Sequence, residues 1–272
     1  MKSKSNNKVK KNTVSDTVLA LLEGKNGWYS GEDLARMLGI SRAAVAKHVA
    51  VLRRFGHVIE SVTNRGYLLK FRYEPTDYEL VKPHLRSKVM GRVGWRAFEE
   101  TVSTNTEAIT WALTGGEEGS VVTAERQTSG KGRKGRDWFS SPHSLQFSLV
   151  LRPKSRTDSL DAVTLAALDA LTAAVVSVAN LKPKIKLPND LYLDGKKIAG
   201  VLLEAGSRAG EPDWLAVGVG CNVNTLPDEF PPSLADKVTS LYQVSGTAVG
   251  KNLLLAEFLG NFEKRLREVR RR

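Results

Sequence analysis

The sequence predicts an α+β fold in two parts, an N-terminal winged helix-turn-helix domain followed by a larger domain with a mixed sheet. Three observations lead to this prediction. Apolar residues recur at helical spacing over residues 18–52, and an alternating hairpin pattern follows them. Beyond residue 84, several strand patterns follow one another without helices between them, which favours a mixed or antiparallel sheet over a doubly wound one. Between the two parts, over residues 71–83, the periodicity lapses, and we predict a linker there.

Composition limits the class of protein. With 272 residues, 41% of them apolar and 26% charged, the chain is long enough for two globular domains. It has no apolar run of about 18 residues or more, and no apolar segment follows the basic N-terminus, so we expect a cytoplasmic protein without a membrane partner. The single cysteine, Cys221, excludes an internal disulfide, and four scattered histidines offer no metal-ligand spacing, so we predict no metal held by the protein.

The net charge is unevenly distributed. Of the total +12, residues 1–75 hold 14 Lys and Arg against 6 Asp and Glu, or +8, and residues 76–272 hold 27 against 23, or +4. Such a basic excess is typical of proteins that bind nucleic acid, although a solvated basic face without a partner is the alternative. We predict that residues 1–12 form a disordered basic tail.

The first domain, residues 13–70, is predicted to contain three helices. The first ends at Gly24, Ser30 caps the second, and Ser41 caps the third after a turn at Gly39. The apolar residues of these helices recur at helical spacing and are expected to face one another: Val18, Leu19, Leu21, Leu22, Leu34, Leu38, Val45, Val49 and Leu52.

The third helix is interpreted as a recognition helix for the major groove. Arg42 and Lys47 can reach phosphates or guanine edges, and the small Ala44 permits close approach. The hairpin signal at residues 64–66 adds a wing beside the helices. A protein-interaction module with solvated charges is the alternative. We predict DNA contacts from Ser41, Arg42, Ala44, Lys47 and His48.

The glycines of "QTSGKGRKGRDWFSSP", at 130, 132 and 135, match the G-x-G-x-x-G spacing of nucleotide-binding loops. A dinucleotide-binding fold needs a helix to begin at these glycines, yet Ser-Ser-Pro and a strand follow them. The phosphate-loop and kinase patterns are also absent from the sequence. What remains is a strand-loop-strand with four cations: Lys131, Arg133, Lys134 and Arg136. We infer a mobile anion clamp that orders on binding, with an exposed basic loop as the alternative.

Two further stretches carry polar residues at the ends of predicted elements. In "LPNDLYLDGKK", Asp190 precedes a short strand and Lys197 begins the next one after a turn. Considered alone, Asp190 is a turn residue and Lys197 a solvated lysine. In "TVSTNTEA", Ser103, Thr104 and Asn105 precede a helix, where capping is the alternative to ligand binding.

The chain resembles the bacterial bifunctional biotin protein ligases, also called biotin operon repressors, in family order and over nearly its whole length. The matching segments are "SGEDLARMLGISRAAVAKHVAVLR", "RGYLL", "STNT", "QTSGKGRKGRDWFSSP", "LPNDLYLDGKKIAGVLLE" and "GVGCNVN". The resemblance implies a catalytic domain, residues 84–272, related in fold to class II aminoacyl-tRNA synthetases and lipoate ligases. It implies formation of biotinyl-5′-AMP from biotin and ATP, and transfer of biotin to a lysine of biotin carboxyl carrier protein. It also implies a homodimer that, when adenylate-bound, represses biotin biosynthesis at an operator DNA.

The resemblance also implies roles for individual residues. Lys197 and Arg133 would offset the repulsion between the biotin carboxylate and the α-phosphate, roughly 4 kcal/mol for two charges about 4 Å apart at an effective dielectric of 20. Asp190 would lie where the acceptor lysine enters, and Mg²⁺ would arrive with ATP. The biotin-binding residues would be Ser103, Thr104, Asn105, Gln127, Lys131, Gly132, Arg133 and Lys197. The nucleotide-binding residues would be Gly130, Arg136, Trp138, Asn189 and Asn222.

The chain departs from the family pattern at Leu187, where tryptophan is usual, and at Lys131 and Lys134, where arginine is frequent. Family members continue into a small all-β C-terminal domain, which we expect to be missing here because the sequence ends soon after its last predicted helix. The alternative functions are therefore a biotin-sensing transcriptional regulator with weak or no ligase activity, and a lipoate or octanoate ligase on the same scaffold.

Overall fold

The computed structural model describes residues 13–25, 27–153, 159–208 and 211–271. The chain divides into two compact units, Met1–Tyr73 and Glu74–Arg272. The predicted basic tail lies outside the described residues.

The first unit has three helices and a hairpin, as predicted. Its elements are α1 (Val14–Glu23), α2 (Gly31–Leu38), α3 (Arg42–Arg54), β1 (Val58–Val62) and β2 (Gly66–Phe71). The hydroxyls of Ser30 and Ser41 cap α2 and α3 by accepting backbone N–H bonds, and Gly39 ends α2 in the left-handed conformation. Seven of the nine predicted apolar residues are buried in one core, and Leu21 and Leu38 pack against it.

The wing is an antiparallel pair that a third segment extends. Tyr29 and Tyr67 exchange two backbone hydrogen bonds of 2.8 and 2.9 Å, so the chain before α2 lies beside β2. Gly66 has a φ of 97°, and a Cβ there would be 1.9 Å from the Tyr29 carbonyl oxygen. Glycine is therefore required at the point where the hairpin turns against this segment.

The second unit begins earlier than predicted. Phe71 ends β2, and the unit boundary falls after Tyr73, within the predicted linker. Residues Tyr78–Val81 form a short helix, α4, followed by a 3-10 turn at Lys82–His84. Val81 is fully buried in the core of the second unit, so hydrophobic burial rather than a linker fixes this segment.

The second unit is built on a seven-stranded sheet. Its strands are β3 (Trp95–Thr101), β4 (Val121–Gln127), β5 (Leu145–Leu151), β6 (Lys184–Lys186), β7 (Asp190–Leu193), β8 (Lys196–Arg208) and β9 (Glu211–Cys221). Their order in the sheet is β3-β4-β5-β9-β8-β7-β6, with β3 and β4 parallel and every other pair antiparallel. The sheet is thus mixed, as predicted.

Helices cover the two faces of this sheet unequally. The helices are α5 (Thr104–Leu113), α6 (Leu160–Ala179), α7 (Leu241–Ser245) and α8 (Lys251–Val269). The main core joins α6 and α8 to one face, where every other residue of β5 and β9 is buried among leucines and phenylalanines. On the other face, α5 packs over only part of the sheet, with Ala108 and Ala112 against Val122, Val150 and Ala216. The rest of that face is left for a cavity.

Helix α6 is long and apolar enough to cross a membrane, judged by length and composition alone. A core helix passes the same test, and eight residues of α6 are buried in the structure. This single helix is therefore weak support for a membrane span.

The segment before β3 is fastened to α8 by one carboxylate. Glu263 is 7% exposed and accepts backbone N–H bonds from Lys88, Val89 and Met90 at 2.8–3.2 Å. Burial by itself would raise the pKa of Glu263, but the three N–H groups stabilise the charged form, and the pKa is held below its ordinary value.

Candidate functional site

The candidate site is a cavity of about 280 Å³ on the sheet face that α6 and α8 leave open. Its floor is bare backbone, because Gly200 and Gly220 are paired in register on β8 and β9. A Cβ at Gly220 would be 2.4 Å from the Trp138 ring, and one at Gly218 would be 2.3 Å from the Asn105 carboxamide. The missing side chains therefore let an aromatic ring and an amide lie directly on the sheet.

Most of the residues predicted to bind ligand line this one cavity. They are Ser103, Thr104, Asn105, Gln127, Lys131, Gly132, Arg133, Arg136, Trp138, Asn189, Asp190, Lys197 and Asn222. Gly130 is the exception, because it is buried at the base of the loop, where its carbonyl accepts the Trp138 N–H at 2.9 Å. Leu187, the departure from the family pattern, is 71% exposed and does not line the cavity.

One end of the cavity is polar and nearly closed to solvent. Ser103 is the N-cap residue of α5 but forms no capping bond with its side chain, so the capping alternative does not account for this hydroxyl. Ser103, Thr104 and Asn105 are 2–4% exposed. The Gln127 carboxamide accepts the Thr104 N–H at 2.7 Å and donates to Gln146 at 3.1 Å, so its orientation is fixed within the protein. The Asn105 amide and the Thr104 hydroxyl also have partners within the protein, so a ligand at this end meets polar groups whose orientations are already set.

The glycine loop joins β4 to β5 as a strand-loop-strand, as predicted, and its tip is a defined turn. Gly132 N–H donates to the Arg136 carbonyl at 2.6 Å, and Lys131 and Asp137 form an isolated antiparallel bridge. Lys134 and Gly135 both have positive φ, 58° and 71°. The turn brings Lys131, Arg133 and Arg136 to the cavity, whereas Lys134 is absent from its lining.

The cations of this loop lack partners of opposite charge. Among the described residues, no carboxylate lies within ion-pair distance of Lys131, Arg133, Lys134 or Arg136. Three of the four line the cavity, so the site concentrates positive charge where an anion can enter. This arrangement suits a phosphate or a carboxylate and favours the anion-clamp interpretation.

Lys197 reaches the same cavity because of a β-bulge. The β7–β8 register shifts at Leu191/Tyr192, so that Tyr192 is opposite Lys197 and Ile198 is skipped. Ile198 and its neighbour Ala199 are both fully buried in the main core, and Lys197 turns to the cavity instead. Its Nζ lies 2.6 Å from Asp190 Oδ1 and 5.4 Å from the centre of the Trp138 ring.

The opposite wall of the cavity includes residues that we did not predict. Phe230, Leu234, Lys237 and Val238 come from an irregular segment after β9, and Phe139 and Tyr192 complete this wall. The irregular segment lacks apolar periodicity, so the only available signal was its position directly after "GVGCNVN". Its backbone is tied to the site, since Lys197 N–H donates to the Lys237 carbonyl at 2.9 Å.

A histidine–carboxylate pair, with His143 buried and Glu229 half-buried, anchors this wall. His143 Nδ1 lies 2.8 Å from Glu229 Oε1, and the Ser141 hydroxyl donates to the same oxygen at 3.2 Å. Burial alone would raise the pKa of Glu229, but these bonds and the Leu226 N–H hold it below its ordinary value. The pair links the end of the glycine loop to Phe230.

Two predicted nucleotide-binding residues use their carboxamides internally. Asn189 donates through Nδ2 to the Val201 carbonyl at 2.8 Å, and Asn222 donates to the Thr239 carbonyl at 3.0 Å. Both residues line the cavity, and the bond that each makes fixes the orientation of its carboxamide, which keeps its oxygen and its second N–H for a ligand.

The predicted DNA-binding residues lie on α3 of the first unit, and most of them face solvent. Ser41, Arg42 and Lys47 are exposed, whereas Ala44 is half-buried. His48, also predicted to contact DNA, is instead turned inward: it is half-buried, and its Nδ1 lies 2.9 Å from the Ser15 hydroxyl of α1. His48 follows Val45 by three residues, which turns it toward the neighbouring helix. The exposed face continues along Ala43, Ala46 and Ala50.

The site contains no side-chain cage for a metal. Among the described residues, no group of three or more His, Cys, Asp or Glu could hold a metal ion. Asp137 and Asp190 are the carboxylates of the cavity lining, and Asp190 already pairs with Lys197.

Comparison with known proteins assigns each unit to a family model. Residues 97–224 match the biotin/lipoate A/B protein ligase family, and residues 15–68 match an HTH domain. The "Bifunctional ligase/repressor BirA" of Bacillus subtilis is 32% identical over 255 residues, which cover 93% of this chain and 78% of that protein. The protein of the same name from Escherichia coli is 31% identical and covers 91% of this chain and 75% of its own length.

A solved structure supports the same likeness for the second unit. The biotin protein ligase from Aquifex aeolicus in complex with biotin and ATP matches with a TM-score of 0.57 and 30% identity. The match covers 64% of this chain and 71% of that chain. The two family matches fall one in each compact unit.

Proposed function

This chain belongs to the biotin protein ligase family, with the bifunctional ligase/repressor proteins, and from that premise we propose how its residues carry out both activities. It forms biotinyl-5′-AMP from biotin and ATP, transfers the biotin to a lysine of an acceptor protein, and represses transcription through its first unit. The observation that carries the proposal is the single cavity in which a closed polar end, an unpaired cationic loop and the Lys197–Asp190 pair meet.

The polar end of the cavity is proposed to hold the ureido head of biotin. Ser103, Thr104 and Asn105 are buried there and line the cavity, and the ureido ring offers both N–H donors and a carbonyl acceptor. Gln127 fixes the first turn of α5 beside them. A ligand without a matching polar group would bury the Ser103 hydroxyl, which forms no capping bond, at a cost of about 1–3 kcal/mol.

The cationic loop and Lys197 are proposed to serve the first reaction. A carboxylate oxygen of biotin attacks the α-phosphorus of ATP, the bond to the bridging oxygen breaks, and pyrophosphate leaves. Lys131, Arg133 and Arg136 offset the charge of the two approaching anions, while the N–H of Gly132 holds the turn that presents them by donating to the Arg136 carbonyl. Lys197 lies between the loop and the floor and stabilises charge at the reacting centre. Trp138 would pack against the adenylate.

The second reaction is proposed to occur beside Asp190. The neutral amine of an acceptor lysine attacks the acyl carbon of the adenylate, AMP leaves with the bonding electrons, and the amine loses a proton. Asp190 lies at the cavity lining, 16% exposed, and can hold the incoming amine while it orients Lys197. The acceptor is proposed to be biotin carboxyl carrier protein.

Magnesium is proposed to enter as the complex with ATP. The described residues lack a cage for the ion, so we assign its coordination to the phosphates of the nucleotide and to water. The ion belongs with the substrate, and no residue of this chain is proposed as its ligand.

The repressor activity is proposed to depend on adenylate. The exposed cationic face of α3, with Arg42 and Lys47, suits the major groove, and the wing lies beside it. When adenylate fills the cavity, the loop cations gain a partner, and we propose that the ordered loop favours a homodimer with two DNA-binding heads on a palindromic operator.

One titration tests the core of the proposal. We expect biotin to bind with measurable heat, and ATP with Mg²⁺ to convert it to a tightly held adenylate, followed by a mass increase on a biotin carboxyl carrier domain. Failure to form adenylate from biotin while lipoate forms one would contradict the assignment of the substrate. Adenylate formation without transfer to any carrier domain would reduce the protein to a biotin-responsive regulator.

A further inference from the structure

A chain of hydrogen bonds runs beneath the polar end of the cavity. It starts at Glu204 on β8, outside the cavity lining, and ends at Gln146 on β5. Its inner members contact one another in the order Asn105, Ser148, Thr104 and Gln127, of which the first three are buried and Gln127 is half-buried. Since each hydroxyl has a single proton, the direction of every bond in such a chain is fixed once its ends are fixed.

Glu204 fixes one end. Its Oε2 lies 2.7 Å from Asn105 Nδ2, and a carboxylate oxygen can only accept, so the NH₂ of Asn105 must face it. The Leu202 carbonyl, 3.3 Å from the same nitrogen, is also an acceptor. The amide oxygen Oδ1 of Asn105 is thereby turned toward Ser148.

Ser148 and Thr104 must follow this direction. Ser148 Oγ lies 2.7 Å from Asn105 Oδ1, which has no proton, so Ser148 donates there. Ser148 Oγ is also 2.8 Å from Thr104 Oγ1, and without a second proton it must accept from Thr104. The Thr104 hydroxyl is then left with lone pairs alone for a ligand in the cavity.

At the other end of the chain, backbone carbonyls fix the orientation of Gln146, and the bond directions that follow agree with those set by Glu204. Gln146 Nε2 donates to the carbonyls of Glu125 and Ser141 at 3.2 and 3.3 Å, so its oxygen faces Gln127. Gln127 Nε2 donates to that oxygen, and Gln127 Oε1 accepts the backbone N–H of Thr104 at 2.7 Å. The Thr104 hydroxyl also lies 3.2 Å from Gln127 Oε1, but that oxygen already accepts the Thr104 backbone N–H, and the shorter 2.8 Å contact assigns the hydroxyl proton to Ser148.

We propose that Glu204 is a positioning residue for specificity: acting through Asn105 and Ser148, it makes Thr104 an obligate hydrogen-bond acceptor toward the ligand. The inference rests on the proposed function, in which a ring N–H of the biotin ureido group is the donor that Thr104 accepts. A ligand with an oxygen in place of that N–H would set two lone pairs against each other.

The test compares biotin with its two cyclic carbamate analogues, each of which has one ring N–H replaced by oxygen. Binding is measured by isothermal titration for the wild-type chain, Glu204→Leu, Glu204→Gln and Ser148→Ala, with thermal unfolding of each variant as the control for folding. In the wild type, we expect one analogue to bind about tenfold or more weaker than biotin.

The variants separate an acceptor role from a structural one. Glu204→Leu removes the fixed acceptor and should reduce the ratio of analogue to biotin dissociation constants several-fold, whereas Glu204→Gln can still accept through its amide oxygen and should retain the ratio. Ser148→Ala breaks the relay next to Thr104 and should also reduce the ratio.

Several outcomes would overturn the proposal. An unchanged ratio in folded Glu204→Leu would do so, as would an equal loss in Glu204→Gln, because charge and not hydrogen-bond direction would then matter. If Glu204→Leu does not fold, the ratio in Ser148→Ala decides. A wild-type chain that binds biotin but does not discriminate overturns this inference alone, whereas one that binds no biotin overturns the proposed function with it.

Discussion

Lys197 Nζ lies 2.6 Å from Asp190 Oδ1 within the cavity, and the two side chains are only 23% and 16% exposed. Each charge stabilises the other in a partly desolvated site, so neither can be removed without leaving its partner exposed to the full cost of burial. An entering phosphate or carboxylate can share Lys197 with Asp190. The pair is therefore the point at which the substrate and the protein compete for one cation.

The first prediction concerns that cation. Replacing Lys197 with Met should lower adenylate formation by about 10²- to 10³-fold, because a donor aimed at developing charge is lost. Exchange of radioactive pyrophosphate into ATP measures this step. Lys196→Met is the matched control, since Lys196 is adjacent, lies outside the cavity lining and donates through Nζ to the Ala235 carbonyl at 3.3 Å. Equal losses in both variants would contradict the assignment.

The second prediction concerns the floor. Gly220→Ala should displace the Trp138 ring, because the new Cβ would lie 2.4 Å from it. We expect the substitution to cost roughly 1–3 kcal/mol, either in the free energy of nucleotide binding or in the free energy of unfolding. Titration of ATP and thermal unfolding measure the two effects. Gly260→Ala on α8 has its nearest Cβ neighbour at 3.6 Å and should be neutral or stabilising. Normal nucleotide binding by Gly220→Ala would show that Trp138 is not needed in this position.

The third prediction concerns the loop cations. Arg133→Gln should speed dissociation of biotinyl-5′-AMP by about 10- to 100-fold, because a charge-assisted contact is lost. Lys134→Gln removes the same charge at the next residue of the loop, yet Lys134 does not line the cavity, so its effect should be several-fold smaller. Stopped-flow dissociation of the adenylate compares them. Equal rates in the two variants would favour a diffuse charge effect over a clamp.

The fourth prediction concerns DNA. Lys47→Ala should weaken DNA binding at all sequences and reduce the slope of log affinity against log salt by about one, as expected for one phosphate contact. His48→Gln should leave that slope unchanged, because His48 is turned to Ser15. Fluorescence anisotropy on duplex DNA across a salt series provides both values. A reduced slope for His48→Gln would contradict its placement against α1.

The fifth prediction concerns acid stability. The pKa of Glu263 is lower in the folded chain than its ordinary value of 4.5, so its stabilising contribution is present above about pH 4.5 and is lost as the pH falls through the folded pKa. Glu263→Gln should therefore lower the free energy of unfolding at neutral pH and reduce its dependence on pH below 4.5. Glu99→Gln, at an exposed position, should do neither. Denaturant unfolding at several pH values is the measurement.

The sequence was sufficient for the local structure of the first unit. Caps at Ser30 and Ser41, a turn at Gly39 and regular apolar spacing act over a few residues, so they can be recognised without a fold. His48 was misplaced because its partner, Ser15, is distant in sequence, and helical spacing alone does not reveal which neighbour a partly polar face meets.

Much of the candidate site was also predictable, although its geometry was not. Unusual clusters of glycine, lysine and arginine identified the loop, but the bulge that turns Lys197 into the cavity depends on strand register. The pairing of Gly200 with Gly220 requires the sheet order. The buried ion pair of Lys251 and Glu125 could not be predicted from the sequence either. Lys251 is 5% exposed and lies 2.9 Å from Glu125, from which it is separated by more than a hundred residues.

The paired glycines of the cavity floor also limit redesign. Since Gly200 and Gly220 already present bare peptide, every substitution there makes the pocket shallower, and none can deepen it. Room for a bulkier cargo would have to come from the opposite wall, at Phe230, Leu234 or Val238, whose side chains can be shortened. Variants that accept a larger substrate should therefore carry their substitutions in the irregular segment after β9, with the strands of the sheet unchanged.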